Sequence, residues 1–204
     1  VETIFVVESS TELYNQIKAY AGDQRMTNVR VILNTGEQGL SASRNLGVTL
    51  AEGDILAFVD DDVSLCQEWA QEIVKTCQDD SIIGVTGLAN VVWRDGQPKW
   101  LPKEFYWLVG GTAWHDRSTL ADVRNAWGMN MSFRRDAFAL CKGFRSDFGL
   151  RNVARSSWRD TPSEDVDFSL RIRKKTGRRI VYNPRVCVNH ILSRNKLTLA
   201  FIVQ

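Results

Sequence analysis

Ile55-Leu56-Ala57-Phe58-Val59-Asp60-Asp61-Asp62-Val63 is the stretch that decides the reading of this chain. The first five residues form a short, continuous apolar run, the pattern of a buried strand. Three acids follow without a break. Adjacent carboxylates repel one another, so a strand end gains nothing from three of them unless a cation is near. Hard divalent cations take oxygen ligands, and Mg²⁺ uses one or two carboxylates together with substrate phosphates. The run therefore predicts a strand that presents a metal and a phosphorylated ligand to a cleft. A solvated acidic turn capping the next helix is the plainer alternative, because Asp is a good N-cap.

The flanking segments place this strand in a sheet. Thr3 to Val7 and Val29 to Leu33 are two more apolar runs of strand length. Helical spacing runs from Ser9-Ser10-Thr11-Glu12 to about Ala21, from Ser41 to Leu50, and from Gln67 to Gln78. Asn34 to Leu40 reads as a loop carrying Gly36 and Gly39, and Glu52-Gly53-Asp54 closes the second helix. Strands that alternate with helices imply βαβ units and a parallel sheet covered on both faces. Ligands bind such sheets at the carboxyl ends of the strands, where Glu8, Gly39 and Asp60 to Asp62 fall. Farther along, Ile82 to Gly87, Ala126 to Phe133, Arg179 to Tyr182 and Arg185 to Val188 read as strands, with helices from Asp136 and Ser163. Trp93 to Trp114 is rich in aromatics. The two halves are expected to share one continuous sheet, with no repeat or linker.

With 204 residues the chain is long enough for one large domain or two small ones. Its 44% hydrophobic and 25% charged residues are globular composition and exclude disorder. Lys and Arg number 26 against 24 Asp and Glu, so the net charge of +2 carries no signal for nucleic acid. Arg171-Ile172-Arg173-Lys174-Lys175 and Arg178-Arg179 suit a solvated helix face, or a surface facing anionic lipid. Cys66, Cys77, Cys141 and Cys187 lack Cys-x-x-Cys spacing and read as reduced, mostly buried thiols of a cytosolic protein. No signal peptide and no apolar run of spanning length is visible. Leu197 to Val203 turns apolar as the sequence stops, as expected for the start of a helix that continues.

Four constellations occur in a fixed order. They are Gly39-Leu40-Ser41-Ala42-Ser43-Arg44-Asn45-Leu46-Gly47; Gly53 to Asp62; Gly128-Met129-Asn130-Met131-Ser132-Phe133-Arg134-Arg135-Asp136-Ala137-Phe138 with Gly143-Phe144; and Glu164-Asp165-Val166-Asp167-Phe168-Ser169-Leu170-Arg171 leading to His190. Together they strongly resemble the inverting family 2 glycosyltransferases, over nearly the whole chain. The resemblance implies the α/β GT-A fold, a Rossmann-like and mostly parallel sheet with helices on both faces. It implies a single catalytic domain over residues 1–204, with a nucleotide-sugar-binding half at about 1–92 and an acceptor half at about 93–204. It further implies a Mn²⁺- or Mg²⁺-dependent enzyme that moves a sugar from a nucleotide sugar, UDP-linked, to a hydroxyl of a glycan or lipid-linked acceptor.

Roles follow at the matching positions. Asp60-x-Asp62 resembles the family's Asp-x-Asp motif, with Asp60 facing the nucleotide, Asp61 beside it, and Asp62 holding the metal. Displacing a nucleoside diphosphate needs charge stabilisation on the leaving oxygen, which a metal supplies. Arg44 and Asn45 sit where the family contacts the nucleotide; a surface salt bridge for Arg44 and a capping or packing role for Asn45 are the plain alternatives. Glu8 ends the first strand, where the family has an Asp against the base, and is one methylene longer. Asp165 resembles the general base that takes the acceptor proton, with Glu164 orienting acceptor hydroxyls. The same two acids would also favour a helix N-terminus. His190 resembles a metal ligand, although a lone His after a strand is often simply packed. Arg194 is a candidate diphosphate clamp, and Trp127 and Asn130 are candidate acceptor-lining residues.

Two departures accompany these matches. The family begins with a strand and a Pro-x-Tyr/Phe-Asn turn, so the chain is expected to lack its first strand and to be truncated at both ends. No Gln-x-x-Arg-Trp follows the base, which favours single-sugar transfer over processive synthesis. Trp93 to Gly110 resembles archaeal members that extend dolichyl-phosphate-linked sugars, including glucuronosyltransferases. An aromatic, Pro-bounded loop suits a lipid-linked or sugar acceptor, and equally a hydrophobic core. The expected location is the cytoplasm, at the cytoplasmic face of a membrane with peripheral association, and no nucleic-acid partner is expected. Two rival readings remain. Phe58 to Leu65 also fits the nucleophile strand of a haloacid dehalogenase-type phosphohydrolase, although that motif normally opens its domain. A non-catalytic nucleotide-sugar-binding module is the other.

Overall fold

The computed structural model describes residues 1–112, 118–147 and 163–193. In chain order the elements are β1 (Thr3–Glu8), α1 (Thr11–Asp23), β2 (Val29–Asn34), α2 (Leu40–Leu50), β3 (Ile55–Val59), β4 (Val63–Leu65), α3 (Trp69–Thr76) and β5 (Ile82–Trp93). A 3₁₀ turn (Lys103–Val109), β6 (Ala121–Val123), β7 (Asn130–Arg134), α4 (Arg135–Cys141), α5 (Glu164–Thr176) and β8 (Arg179–Leu192) follow. The chain forms two compact units, one from Val1–Leu56 and Arg134–Thr176, the other from Ala57–Phe133 and Gly177–Gln204.

In the first unit β1 and β2 pair in parallel from Thr3↔Val29 to Glu8↔Asn34, as a βαβ crossover through α1 requires. These two strands form a sheet of their own, so the single continuous sheet expected from the sequence is not what forms. Ser10 starts α1 by accepting the Leu13 N–H at 3.2 Å, which satisfies one orphan donor of the first turn. Phe138 of α4, Phe144 and Phe168 of α5 make an aromatic cluster, with Phe138 and Phe168 stacked at 4.7 Å. Arg171 ties that cluster off: it pairs with Asp167 one turn back and donates to the carbonyls of Cys141 and Gly143.

The second unit is built on a mixed six-stranded sheet of order β3-β7-β5-β8-β4, with β6 also on β8. Its long ladder, β5 with β8, is parallel, while β7, β4 and β6 join antiparallel. Ile83, Val85, Met131, Phe133, Ile180, Val181 and Val188 have no exposed surface and make the core. α3 buries Trp69, Glu72, Ile73 and Thr76, the i, i+3, i+4, i+7 face of an amphipathic helix. Glu72 and Thr76 meet the buried Asn183 side chain, which satisfies these polar groups away from water.

Three local expectations change. Arg179 to Tyr182 and Arg185 to Val188 are one strand, interrupted by a bulge where the register jumps from Gly87↔Asn183 to Ala89↔Val188. Pro184 cannot donate to a ladder, and a bulge is where a sheet tolerates it. Gly87 opposes that bulge: a Cβ there would lie 1.8 Å from the Val186 carbonyl oxygen. The strand expected from Ala126 begins only at Asn130, because Trp127 and Asn130 close a tight bridge first. All four cysteines are free, but only Cys77 is buried and the others are half-buried.

Candidate active site

Asp60 to Asp62 form the turn between β3 and β4, with Asp61 exposed and its two neighbours half-buried. The turn is held by β8. Val63 lies opposite His190, and the Ile191 N–H donates to the Asp62 carbonyl at 2.8 Å. This register places the Asp62 and His190 side chains together, with Nε2 of His190 3.2 Å from Oδ2 of Asp62. The sequence separation is 128 residues. His190 is 6% exposed, and its Nδ1 is buried without a hydrogen-bond partner among the described residues. A Cβ on Gly110, which caps the 3₁₀ turn at φ +80, would sit 2.4 Å from the Met129 methyl and 3.0 Å from that Nδ1. Only glycine fits between the imidazole and Met129.

The pair fits a shared divalent cation. Two ligands each about 2.0–2.1 Å from one ion and at right angles lie about 3 Å apart, close to the observed separation. The carboxylate oxygen suits Mn²⁺ or Mg²⁺, while imidazole is a donor for transition-metal ions and so favours Mn²⁺ of the two. Among the described residues no cluster of three or more His, Cys, Asp or Glu side chains surrounds a common point. A site with two protein ligands leaves the remaining positions to phosphate oxygens and water, the usual Mg²⁺ arrangement.

Beside it, a cavity of about 50 Å³ is walled by Gly87, Gly110, Gly111, Trp107, Trp127 and Asn130 among others. Asn130 is 1% exposed. Its side chain accepts from Trp69 Nε1 at 2.9 Å and donates to the Val186 carbonyl at 2.8 Å, so it shapes the wall through internal bonds. Trp127 is half-buried and packs edge-on to Tyr182. On the same strand as His190, burial and the facing Cys66 push the Cys187 thiol up to about 12, so it is protonated and inert near neutrality.

In the first unit the candidate residues hold one another. Glu8 accepts the Gly39 N–H at 2.5 Å, and Asn34 donates to the Glu37 carbonyl and accepts from Gly36 N–H. These bonds shape the loop between β2 and α2; the sequence reading missed Asn34, an Asn at a strand end being a common turn signal. Asn45 makes two reciprocal bonds with the Phe144 backbone, each 2.8 Å, so its amide brackets the turn after α4. Arg44 does not make the surface salt bridge weighed as its plain alternative. It donates to Glu164 Oε1 at 2.5 Å, with the two side chains 8% and 5% exposed, and stands over the Phe144 ring. Glu164 Oε2 is buried without a hydrogen-bond partner among the described residues. Asp165 follows at the start of α5, half-buried, with Oδ1 accepting the Val166 N–H at 2.7 Å. Arg194 lies outside the described residues.

Residues 1–140 match the profile of Glycosyl transferase family 2. The chain belongs to that family. The family assignment decides against the phosphohydrolase reading of the same acids. A glucosyl-dolichyl phosphate glucuronosyltransferase of Haloferax volcanii is 30% identical over 203 residues, 99% of this chain and 63% of the relative. The chain thus spans less than two thirds of that relative's length. Among solved structures, GalNAc-T7 with UDP, GalNAc and Mn²⁺ superimposes with a TM-score of 0.66 at 16% identity, covering 94% of this chain and 38% of its own. The mannosyltransferase PcManGT from Pyrobaculum calidifontis, in complex with GDP-Man and Mn²⁺, gives 0.63 at 17% identity, covering 92% and 47%. These likenesses establish the GT-A fold expected from the sequence. No helix among the described residues is long and apolar enough to cross a membrane.

Proposed function

We propose that this family 2 chain is the catalytic GT-A domain of an inverting, metal-dependent glycosyltransferase. It moves one sugar from a nucleotide sugar, UDP-linked, to a hydroxyl of a lipid-linked glycan. The observation that carries the reading is the meeting of Asp62 and His190 across the β4–β8 ladder, 3.2 Å apart at the end of an Asp-x-Asp turn. Two donor atoms 128 residues apart in the chain that meet at a separation two ligands of one cation can have suit a nucleotide-diphosphate site. The Haloferax relative, named for a dolichyl-phosphate-linked substrate, supports the lipid-linked acceptor. The two superimposable structures contain UDP or GDP-Man together with Mn²⁺, which supports the donor class and the metal.

In this reading Asp62 and His190 hold Mn²⁺ or Mg²⁺. Bound there, the ion supplies Lewis-acid stabilisation of the diphosphate. Asp60 and Asp61 face the nucleotide. Asp165 takes the acceptor hydroxyl proton, a role that needs a carboxylate within hydrogen-bond reach of that hydroxyl. Trp127 lines the acceptor side. Arg44, Asn45 and Glu164 act by holding α2, the turn after α4 and the start of α5, through the Arg44–Glu164 pair and the Asn45 bonds to the Phe144 backbone.

Calorimetric titration of UDP and of GDP, each with and without Mn²⁺, tests the reading. UDP binding that requires Mn²⁺ and is lost in Asp62→Asn is the expected result. UDP binding that is indifferent to metal would overturn the assignment of Asp62 and His190, and a preference for GDP would overturn the UDP donor.

A further inference from the structure

We infer that the segment Lys99–Trp107 is a membrane-docking surface that seats the second unit on an anionic lipid bilayer. The inference goes beyond the transfer reaction and does not depend on it. Leu101, Tyr106 and Val109 are buried in a cluster with Leu192, against which Val91 and Trp93 pack. Tyr106 and Trp93 meet edge to face at 5.3 Å. The same segment also holds Trp100, Phe105 and Trp107, which are 50%, 48% and 50% exposed. Three large aromatic side chains within eight residues are thus held half in water by a fixed core.

A soluble surface carries scattered apolar residues without consequence, but three large exposed aromatics concentrated in one eight-residue segment point to an interaction site. The kind of partner follows from what stands between the rings. Lys99 and Lys103 are exposed and flank them, with Glu104 the one acid from Pro98 to Val109. Lysine is depleted from the core of protein–protein interfaces. At a bilayer the same residue is favoured, because its stem lies along the apolar surface while its ammonium reaches the headgroups. Trp belongs in that layer too, since its ring is apolar and its N–H finds a headgroup partner. Aromatics interleaved with lysine therefore fit a lipid surface and not a protein partner. Pro98 and Pro102 restrict the backbone on either side of Trp100, which lowers the ordering cost of docking. Trp107 also walls the cavity beside Gly110, so a lipid-borne acceptor held at the bilayer would arrive next to it.

Co-sedimentation of the 204-residue chain with large unilamellar vesicles is the test. Vesicles of phosphatidylcholine alone are compared with vesicles containing phosphatidylglycerol. We expect binding to the anionic vesicles, stronger than to the neutral ones. Trp100→Ser with Phe105→Ser should lower the partition coefficient by at least about tenfold, because each ring withdraws apolar area from the interface. Lys99→Gln with Lys103→Gln should lower it by roughly fivefold per lysine on anionic vesicles only. Tyr20→Ser on α1, a residue 61% exposed on the first unit, should change nothing. Circular dichroism melts of each variant establish that it is folded. No binding to either vesicle, an equal loss with Tyr20→Ser, or self-association of the wild type that the aromatic variants abolish would each overturn the inference.

Discussion

Replacing Arg44 by Met tests whether this arginine serves the fold or a ligand. Its guanidinium donates to Glu164 at 2.5 Å, with the side chains 8% and 5% exposed. Removing one partner of a buried pair strands the other charge away from water, which costs about 3–5 kcal/mol. Among the described residues the second Glu164 oxygen has no hydrogen-bond partner either. The guanidinium also stands 5.8 Å from the Phe144 ring centroid, a contact worth about 0.5–1 kcal/mol more. Arg44→Met should therefore lose about 3.5–6 kcal/mol in urea unfolding, or roughly 7–24 °C in Tm for a chain of this size. Adding Glu164→Met removes the stranded charge. The double variant should return to within about 1 kcal/mol of wild type, since apolar replacements of buried pairs are often neutral or stabilising. The assay is equilibrium unfolding followed by tryptophan fluorescence, with all four corners of the cycle measured. A loss below about 1 kcal/mol in Arg44→Met, or no recovery in the double variant, would refute the pair as a structural bond. Unchanged stability with lost nucleotide binding would return Arg44 to the ligand-contact role that its sequence position suggests.

Asp165→Asn should lower transfer by about 10²–10⁴-fold while leaving nucleotide affinity unchanged, read by product formation and calorimetry on the same preparation. Cys187 is held protonated well above its ordinary value of 9.0, up to about 12, first by burial and then by Cys66. The unfolded chain releases this proton at lower pH than the folded one, so its contribution to stability is full below pH 9 and falls as pH rises toward 12. Cys187→Ser should remove that part of the alkaline slope in unfolding experiments. Gly87→Ala would put a methyl 1.8 Å from the Val186 carbonyl oxygen, which is backbone and cannot swing aside. A loss of about 3 kcal/mol or more is expected. Gly22→Ala on α1, where a Cβ meets nothing within 4 Å, should gain about 0.5–1 kcal/mol by the same thermal melt.

Local physics was legible before any coordinates. Thr3 to Val7, Val29 to Leu33 and Ile55 to Val59 read as strands and each forms one, although within those runs only Val7 and Leu56 are buried. The Asp60-x-Asp62 turn lies within residues 1–140, which match the family profile, whereas the Glu164-Asp165 pair and His190 lie beyond that match and rest on their order along the chain. These features depend on neighbours within a few positions, or on order along the chain.

Only tertiary structure decided who bonds to whom. Arg44 and Glu164 are 120 residues apart, and residue type offered Arg44 a nucleotide or a surface salt bridge and Glu164 an acceptor or a helix N-terminus, but not each other. Asn45 spends both polar atoms on the Phe144 backbone, 99 residues away. The strand Arg179–Leu192 runs through Pro184 only because Gly87 leaves room for its bulge, which no local propensity encodes. Asp62 and His190 were legible as types, but their 3.2 Å approach comes from the β4–β8 register. A one-residue slip of that register would turn one of them to the other face. Propensity and patterning act over a turn or a strand, whereas ion pairing, bulges and register are settled when distant segments close on each other and each buried polar group must find a partner.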